Sequence, residues 1–218
     1  MAIDDLDSFN RVTRYLHDLC GIVDGFKLGI PMLLSTSTSR LESMKLRCKG
    51  LMIADLKLAD IGAIMIRTVK TVESYFNAVI AHSFIGVEGA LGDLKRYLDD
   101  VGLKLILVAS MSHPGSRELY DTVLEGVLDI IRRVKPWGVV APATRPDIIR
   151  RIRGRLGDSI VILSPGVGVQ GAKPGDAICS GADYEIVGRL ITGSRDVVGE
   201  AYNVKRRLEE RGCARQFQ

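Results

Sequence analysis

Short apolar runs alternate with amphipathic stretches along the whole of these 218 residues, and that alternation constrains the fold more than any other feature of the chain. The runs at 22–29, 51–57, 75–82, 103–110, 137–141, 159–164 and 184–187 read as strands, with 1–5 as the tail of a very short first one. Between them lie helical patterns at 8–20, 33–49, 61–74, 86–101, 118–134, 146–156, 174–180 and 196–211. Ser8 is a plausible cap for the first, and Pro146 opens the sixth at a position that suits proline. Eight strand–helix units at a spacing of about 25 residues predict a parallel sheet closed on itself, an α/β fold of the single (β/α)8 TIM barrel type. No linker, low-complexity tract or shift in composition divides the chain, so residues 1–218 are expected to form one domain.

Such a barrel carries its chemistry at the C-terminal ends of its strands. There the chain places Asp5, Lys27, Asp55, Lys57, His82, 110–113, Pro142, 165–170, Gly188 and Arg189. The densest group ends the third strand, where Leu51-Met52-Ile53-Ala54 runs into Asp55, Lys57 and Asp60. Side chains alternate along a strand, so Asp55 and Lys57 share one face. Neighbouring strand two brings Lys27 to the same mouth. An array of Lys27, Asp55, Lys57 and Asp60 is roughly neutral overall and can hold fixed charge where a reaction develops charge of its own. It is also a setting in which a lysine stays protonated and serves as an acid.

Ser164-Pro165-Gly166-Val167-Gly168-Val169-Gln170-Gly171 contains Gly-x-Gly-x-x-Gly. A dinucleotide fingerprint should open a first βαβ unit with a helix starting inside the motif, whereas this one lies late in the chain and runs into Lys173-Pro174-Gly175. A flexible loop after strand seven, facing Gly188-Arg189 after strand eight, is instead the usual phosphate site of such barrels. Backbone N–H groups and the Arg189 guanidinium would grip the dianion. Ser112, in the turn Ser110-Met111-Ser112-His113-Pro114-Gly115, could read a polar ligand edge. His82 and His113 have no acid or nucleophile at triad spacing and are taken as structural. No His/Asp/Glu cluster stands out as a metal site.

A net charge of +4 is modest, and the basic clusters at 145–155 and 205–215 read as solvated helix faces rather than nucleic-acid footprints. Cys20, Cys48, Cys179 and Cys213 show no Cys-x-x-Cys spacing, which suggests a reduced, cytoplasmic protein without structural zinc. No apolar run approaches the roughly 18 residues of a membrane span, and no leader precedes Asp4 and Asp5.

From Ala2-Ile3-Asp4-Asp5-Leu6 to Val187-Gly188-Arg189 the chain resembles the orotidine 5′-monophosphate decarboxylases of the compact microbial kind. Asp55-x-Lys57-x-x-Asp60-Ile61 carries most of the resemblance, with Phe26-Lys27-Leu28-Gly29, Met111-Ser112-His113-Pro114-Gly115 and the glycine loop in the same order. The resemblance implies cofactor-free decarboxylation of orotidine 5′-monophosphate to uridine 5′-monophosphate in de novo pyrimidine biosynthesis. It implies Lys57 as proton donor to C6, Asp55 as the carboxylate set against the substrate's own, and Lys27 continuing the network. It further implies a homodimer in which Asp60 crosses the interface. Asp5 and Lys27 would hold ribose hydroxyls, Ser112 the pyrimidine, and Pro165, Gly166, Val167, Gln170, Gly188 and Arg189 the phosphate end, with Ile61 among the substrate contacts. One departure from the family pattern matters: Asp-Ile-Pro/Gly-Asn-Thr is replaced by Asp60-Ile61-Gly62-Ala63-Ile64, so Ile64 stands where a threonine of the partner usually helps to hold the ribose. Two other readings stand beside this one: a magnesium-dependent sugar-phosphate lyase of the hexulose-phosphate synthase type, which shares the Asp55-x-Lys57-x-x-Asp60 motif but against which Lys27 and the Met111-Ser112-His113-Pro114-Gly115 turn argue, and a phosphate-binding barrel that keeps its loop without catalysis.

Overall fold

The computed structural model describes residues 1–213, and they form the expected barrel. Its strands are β1 (Ala2–Ile3), β2 (Gly25–Gly29), β3 (Leu51–Leu58), β4 (Ala78–His82), β5 (Lys104–Val108), β6 (Gly138–Val140), β7 (Val161–Pro165) and β8 (Tyr184–Ile186). Each is parallel to the next in the order β1 to β8, and Ala2 donates its N–H to the carbonyl of Val187 at 2.8 Å to bring the two edges together. The helices are α1 (Leu6–Arg14), α2 (Leu16–Cys20), α3 (Ile30–Ser35), α4 (Thr38–Arg47), α5 (Gly62–Lys70), α6 (Gly92–Asp100), α7 (Leu124–Val134), α8 (Pro146–Leu156), α9 (Arg189–Thr192) and α10 (Val197–Glu210). Their apolar stripes pack on the outside of the sheet; α7, for example, buries Leu124, Val127, Leu128, Ile131 and Val134.

The differences from the expected elements have local causes. The first helix breaks at Tyr15, and its cap is Asp5 rather than Ser8: the Asp5 carboxylate accepts from the Ser8 N–H at 2.7 Å and from the Ser8 hydroxyl at 2.9 Å. The helix expected from residue 86 begins regularly only at Gly92, because Gly89 turns the chain at φ +67. The helix expected at 174–180 is reduced to a turn of 3-10 helix, Ile178–Ser180.

Two expectations drawn from composition are overturned. The cysteines are not reduced: Cys20 is bonded to Cys48 and Cys179 to Cys213, with Cα atoms 5.6 and 5.0 Å apart. These pairs are 28 and 34 residues apart in the chain, so only the packing of α2 against α4, and of the end of α10 against the β7–β8 connection, brings them together. Nor is the cluster at 145–155 a solvated face throughout, since Arg145 and Arg153 are both buried. Arg153 donates to the carbonyls of Gly181, Gly157 and Ile160 at 2.9, 2.7 and 2.8 Å and pairs with Asp183, fastening α8 to the sheet. Among the described residues no helix is long and apolar enough to cross a membrane.

Candidate active site

A cavity of about 400 Å³ opens at the C-terminal ends of the strands. Asp4, Lys27, Asp55 and Lys57 form one wall; Ile80, Val108 and Val140, from three successive strands, supply an apolar floor; Pro165, Gly166 and Gln170 follow from the end of β7, and Gly188 and Arg189 from the end of β8, where Gly188 adjoins Asp4.

The charged wall follows from strand alternation. Asp55 pairs in register with Gly29, which puts Lys27 two residues below it on the adjoining strand. Lys27 Nζ lies 2.7 Å from Asp55 Oδ2, and Lys57 Nζ lies 2.8 Å from both Asp55 oxygens. Burial alone would push the Asp55 carboxyl up, but the ammonium groups of Lys27 and Lys57 outweigh it and hold the carboxyl below its ordinary range. Burial would likewise lower Lys27; the carboxylates of Asp55 and Asp4 outweigh it and raise the ammonium above its ordinary value.

Lys57 is held in an uncommon backbone conformation, φ +43, where β3 slips register against β4 between Ala54 and Leu58. A left-handed lysine costs on the order of 1–2 kcal/mol, so the surrounding sheet must over-determine it. The slip directs the Lys57 ammonium back over Asp55 instead of along the strand.

Asp5 does not reach the cavity, being occupied as the cap of α1. The acid on this wall is Asp4, whose Oδ1 accepts from Lys27 Nζ at 3.0 Å. Gly29 makes room for it: a Cβ there would come within 2.6 Å of Asp4 Oδ1. Asp60 also stands apart from the cavity within one chain, its carboxylate accepting the Ile61 N–H at 2.7 Å. Ile61 and Ile64 beside it are exposed, outside the cavity lining.

The glycine loop carries no helix. It folds back on itself through Gly168 N–H to Ala172 O at 2.8 Å, with Gly166, Gly168 and Gly171 all at positive φ, so the dinucleotide reading has no structural basis. Gly168 packs against Leu190, where a Cβ would lie 2.8 Å from Leu190 Cβ. Ser112 donates to Gln170 Oε1 at 3.2 Å, joining the turn after β5 to this loop. Pro165, Gly166, Val167, Gln170, Gly188, Arg189 and Ser112 all line the cavity.

Beneath the turn lies a residue that the linear pattern hides. Arg145 donates to the carbonyl of Met111 and, at 2.6 Å, to the Ser110 hydroxyl, while pairing with Asp121. His82 is bonded through Nδ1 to the Tyr120 hydroxyl; burial, then the Lys57 ammonium, pushes its imidazole down, toward the neutral form. Neither His82 nor His113 lines the cavity.

Comparison with known proteins agrees in sequence and in fold. Residues 2–204 match the family described as orotidine 5′-phosphate decarboxylase / HUMPS. An orotidine 5′-phosphate decarboxylase of Aeropyrum pernix is 52% identical over 197 residues, 89% of this chain and 79% of that protein. The crystal structure of the orotidine 5′-monophosphate decarboxylase from Sulfolobus solfataricus superimposes with a TM-score of 0.86 at 35% identity, covering 97% of this chain and 98% of that one. The enzyme from Methanocaldococcus jannaschii complexed with the inhibitor BMP gives 0.86 at 31% identity, covering 95% and 97%.

Proposed function

Because the chain belongs to the orotidine 5′-phosphate decarboxylase / HUMPS family, we propose that it is the carboxy-lyase that converts orotidine 5′-monophosphate to uridine 5′-monophosphate in pyrimidine biosynthesis, without a cofactor. The observation that carries the reading is the buried Asp55 carboxylate clamped between two ammonium groups, in a cavity of about 400 Å³ that Arg189 also lines.

In this reading the phosphate lies between Arg189 and the loop at 165–171, the ribose near Asp4 and Lys27, and the pyrimidine over the apolar floor with Ser112 at its edge. The C6 carboxylate then faces Asp55, and the two like charges oppose each other in the ground state. Cleavage of the bond from C6 to the carboxylate releases carbon dioxide and leaves the electron pair on C6. Lys57 gives a proton to C6, and the neutral amine is reprotonated from solvent. The fixed ammonium charges of Lys27 and Lys57 favour the carbanion because they are already in place when it forms. Binding energy from the remote phosphate closes the glycine loop and excludes water. Asp60 of the partner subunit completes the network across a homodimer interface that includes the exposed Ile61 and Ile64. Ile64 offers no hydrogen bond to the ribose, which lowers affinity by about 1 kcal/mol.

The test is the loss of ultraviolet absorbance of orotidine 5′-monophosphate in excess chelator, with Lys57→Ala as control. Decay that vanishes in the variant supports a metal-free decarboxylase using Lys57. Binding without decay in either protein favours a non-catalytic barrel, and turnover of a hexulose phosphate only when magnesium is restored would replace the proposal.

A further inference from the structure

The segment that follows the glycine loop is fastened with unusual care. After Gly171 the chain runs through Lys173-Pro174-Gly175-Asp176 to Cys179 before entering β8. Three ties hold it, two of them from the stretch just past α10. The Glu185 carboxylate of β8 accepts the N–H groups of Gly175 and Ala177 at 2.9 to 3.0 Å. Arg211, just past α10, pairs with Asp176 and packs so closely on Gly175 that a Cβ there would lie 2.5 Å from Arg211 Cγ. Cys213, two residues further on, is bonded to Cys179. Upstream of these ties, Gly166 and Gly171 stand at φ +115 and +109, and Val169 between them is 61% exposed. The loop therefore has conformationally free glycines at both ends and a rigid mount directly behind the second.

We propose that Arg211 and the Cys179–Cys213 bridge are positioning residues for phosphate binding: they fix the distal base of the glycine loop from outside the barrel, so that affinity for the phosphate end of the ligand depends on the bridge being closed. The inference rests on the function proposed above for the site. A loop whose base is already ordered spends less binding energy on ordering when phosphate arrives. Opening the bridge releases the base and lets residues 172–179 share the loop's motion, so ligand must pay for ordering them as well. Lys27 lies on β2 and Asp55 and Lys57 on β3, outside the β7–β8 connection, and they are untouched. The effect is expected on KM, not on turnover at saturation. Both Cys179 and Cys213 are exposed, so a small dithiol can reach the bond; it supplies two electrons, leaves two thiols and closes into a cyclic disulfide itself.

The experiment compares wild type, wild type treated with excess dithiol, Cys179→Ser/Cys213→Ser and Arg211→Met, with Cys20→Ser/Cys48→Ser as the control that removes the remote bridge. Steady-state decarboxylation, hydrogen exchange over residues 165–180 and thiol titration are read on each. The expected result is a KM raised about fivefold with kcat within twofold for the Cys179–Cys213 and Arg211 variants, together with faster exchange at 165–180, while the Cys20–Cys48 variant keeps the wild-type KM. Unchanged KM and unchanged exchange once thiol titration shows the bridge open would overturn the proposal, as would four free thiols in the untreated protein. If no preparation turns over, the activity reading has failed and not this one; equilibrium binding of inorganic phosphate and the exchange rates then decide it, equal values in both bridge variants counting against it.

Discussion

Replacing Asp55 by asparagine keeps the shape of the side chain and removes the charge on which the charged wall of the cavity is built. Asp55 is 5% exposed and Lys27 8%, so the pair between them is screened little by water. Without the carboxylate, Lys27 retains Asp4 at 3.0 Å, an exposed acid, and Lys57 loses the one ion-pair partner it has among the described residues. Removing one member of a buried pair typically costs 3–5 kcal/mol, and because Asp4 remains the lower end applies, about 3 kcal/mol. In a chain of this length that is a fall in Tm of roughly 6–12 °C. Catalysis should suffer more. Losing a preorganised charge at the reacting centre costs about 10²–10³ in kcat. On the proposed mechanism the asparagine also removes the opposition between Asp55 and the substrate carboxylate, so KM should stay level or fall. Thermal unfolding and the absorbance assay, run on the same preparation, read both effects. A variant with wild-type Tm and kcat within threefold of the parent would refute the view that a desolvated charge cluster organises this site.

Four other outcomes are expected. Asp4→Ala should raise KM several-fold by freeing Lys27 on one side, whereas Asp5→Ala should cost about 1 kcal/mol of stability through the lost cap and leave KM alone. Gly29→Ala should reproduce the Asp4 phenotype, because its Cβ would displace the Asp4 carboxylate; steady-state kinetics at fixed pH compare the two. The stability that Asp55 contributes is present above its ordinary pKa of 3.8 and lost as pH falls through its depressed folded value, while that of Lys27 is present below 10.5 and lost as pH rises through its elevated one. Neither group gives Tm a slope between about pH 5 and 9, where the N-terminal amine, lowered by burial to about 5, and the depressed His82 imidazole instead make Tm rise with pH up to about 8; Asp55→Asn should flatten part of the acid decline below that window. Opening the Cys20–Cys48 bridge, which closes 28 residues, should remove about 3–4 kcal/mol on the chain-entropy account, seen as a Tm lower by roughly 7–14 °C under dithiol in Cys179→Ser/Cys213→Ser.

The barrel was legible because its signal is periodic and repeated: each apolar run states its own place, and an error of a few residues at one end leaves the order of strands intact. The meeting of Lys27 with Asp55 was legible for the same reason, since alternation along two adjoining strands decides which side chains meet; Lys57 reaches Asp55 only through the register slip at its left-handed turn. Applied to the first strand, that alternation also selects Asp4, two residues beyond the cavity-lining Ala2; resemblance had placed the role on Asp5, whose side chain turns away to cap α1. What the sequence hides is whatever depends on partners far along the chain. Arg145 and Arg153 look like part of a basic run because nothing nearby announces the carbonyls of Met111, Gly181 and Ile160 that they serve. The two disulfides join cysteines whose only common property is where the helices end. The left-handed turn at Lys57 has no signature in a lysine, which disfavours it.

The short first strand gives the ligand a mechanical office. Ala2 and Ile3 are all that β1 contributes, and the Ala2 N–H to Val187 hydrogen bond lies at the junction of the two sheet edges. Asp4 continues one edge and Gly188 with Arg189 continues the other, so the sugar end and the phosphate end of a nucleotide would sit on opposite banks of the weakest junction in the sheet. A molecule reaching from one bank to the other acts as a clasp: its affinity for the closed barrel subtracts directly from the population in which the edges part. Neither a free nucleoside nor inorganic phosphate has that reach, and the protection of this junction against fraying should belong to the intact nucleotide alone.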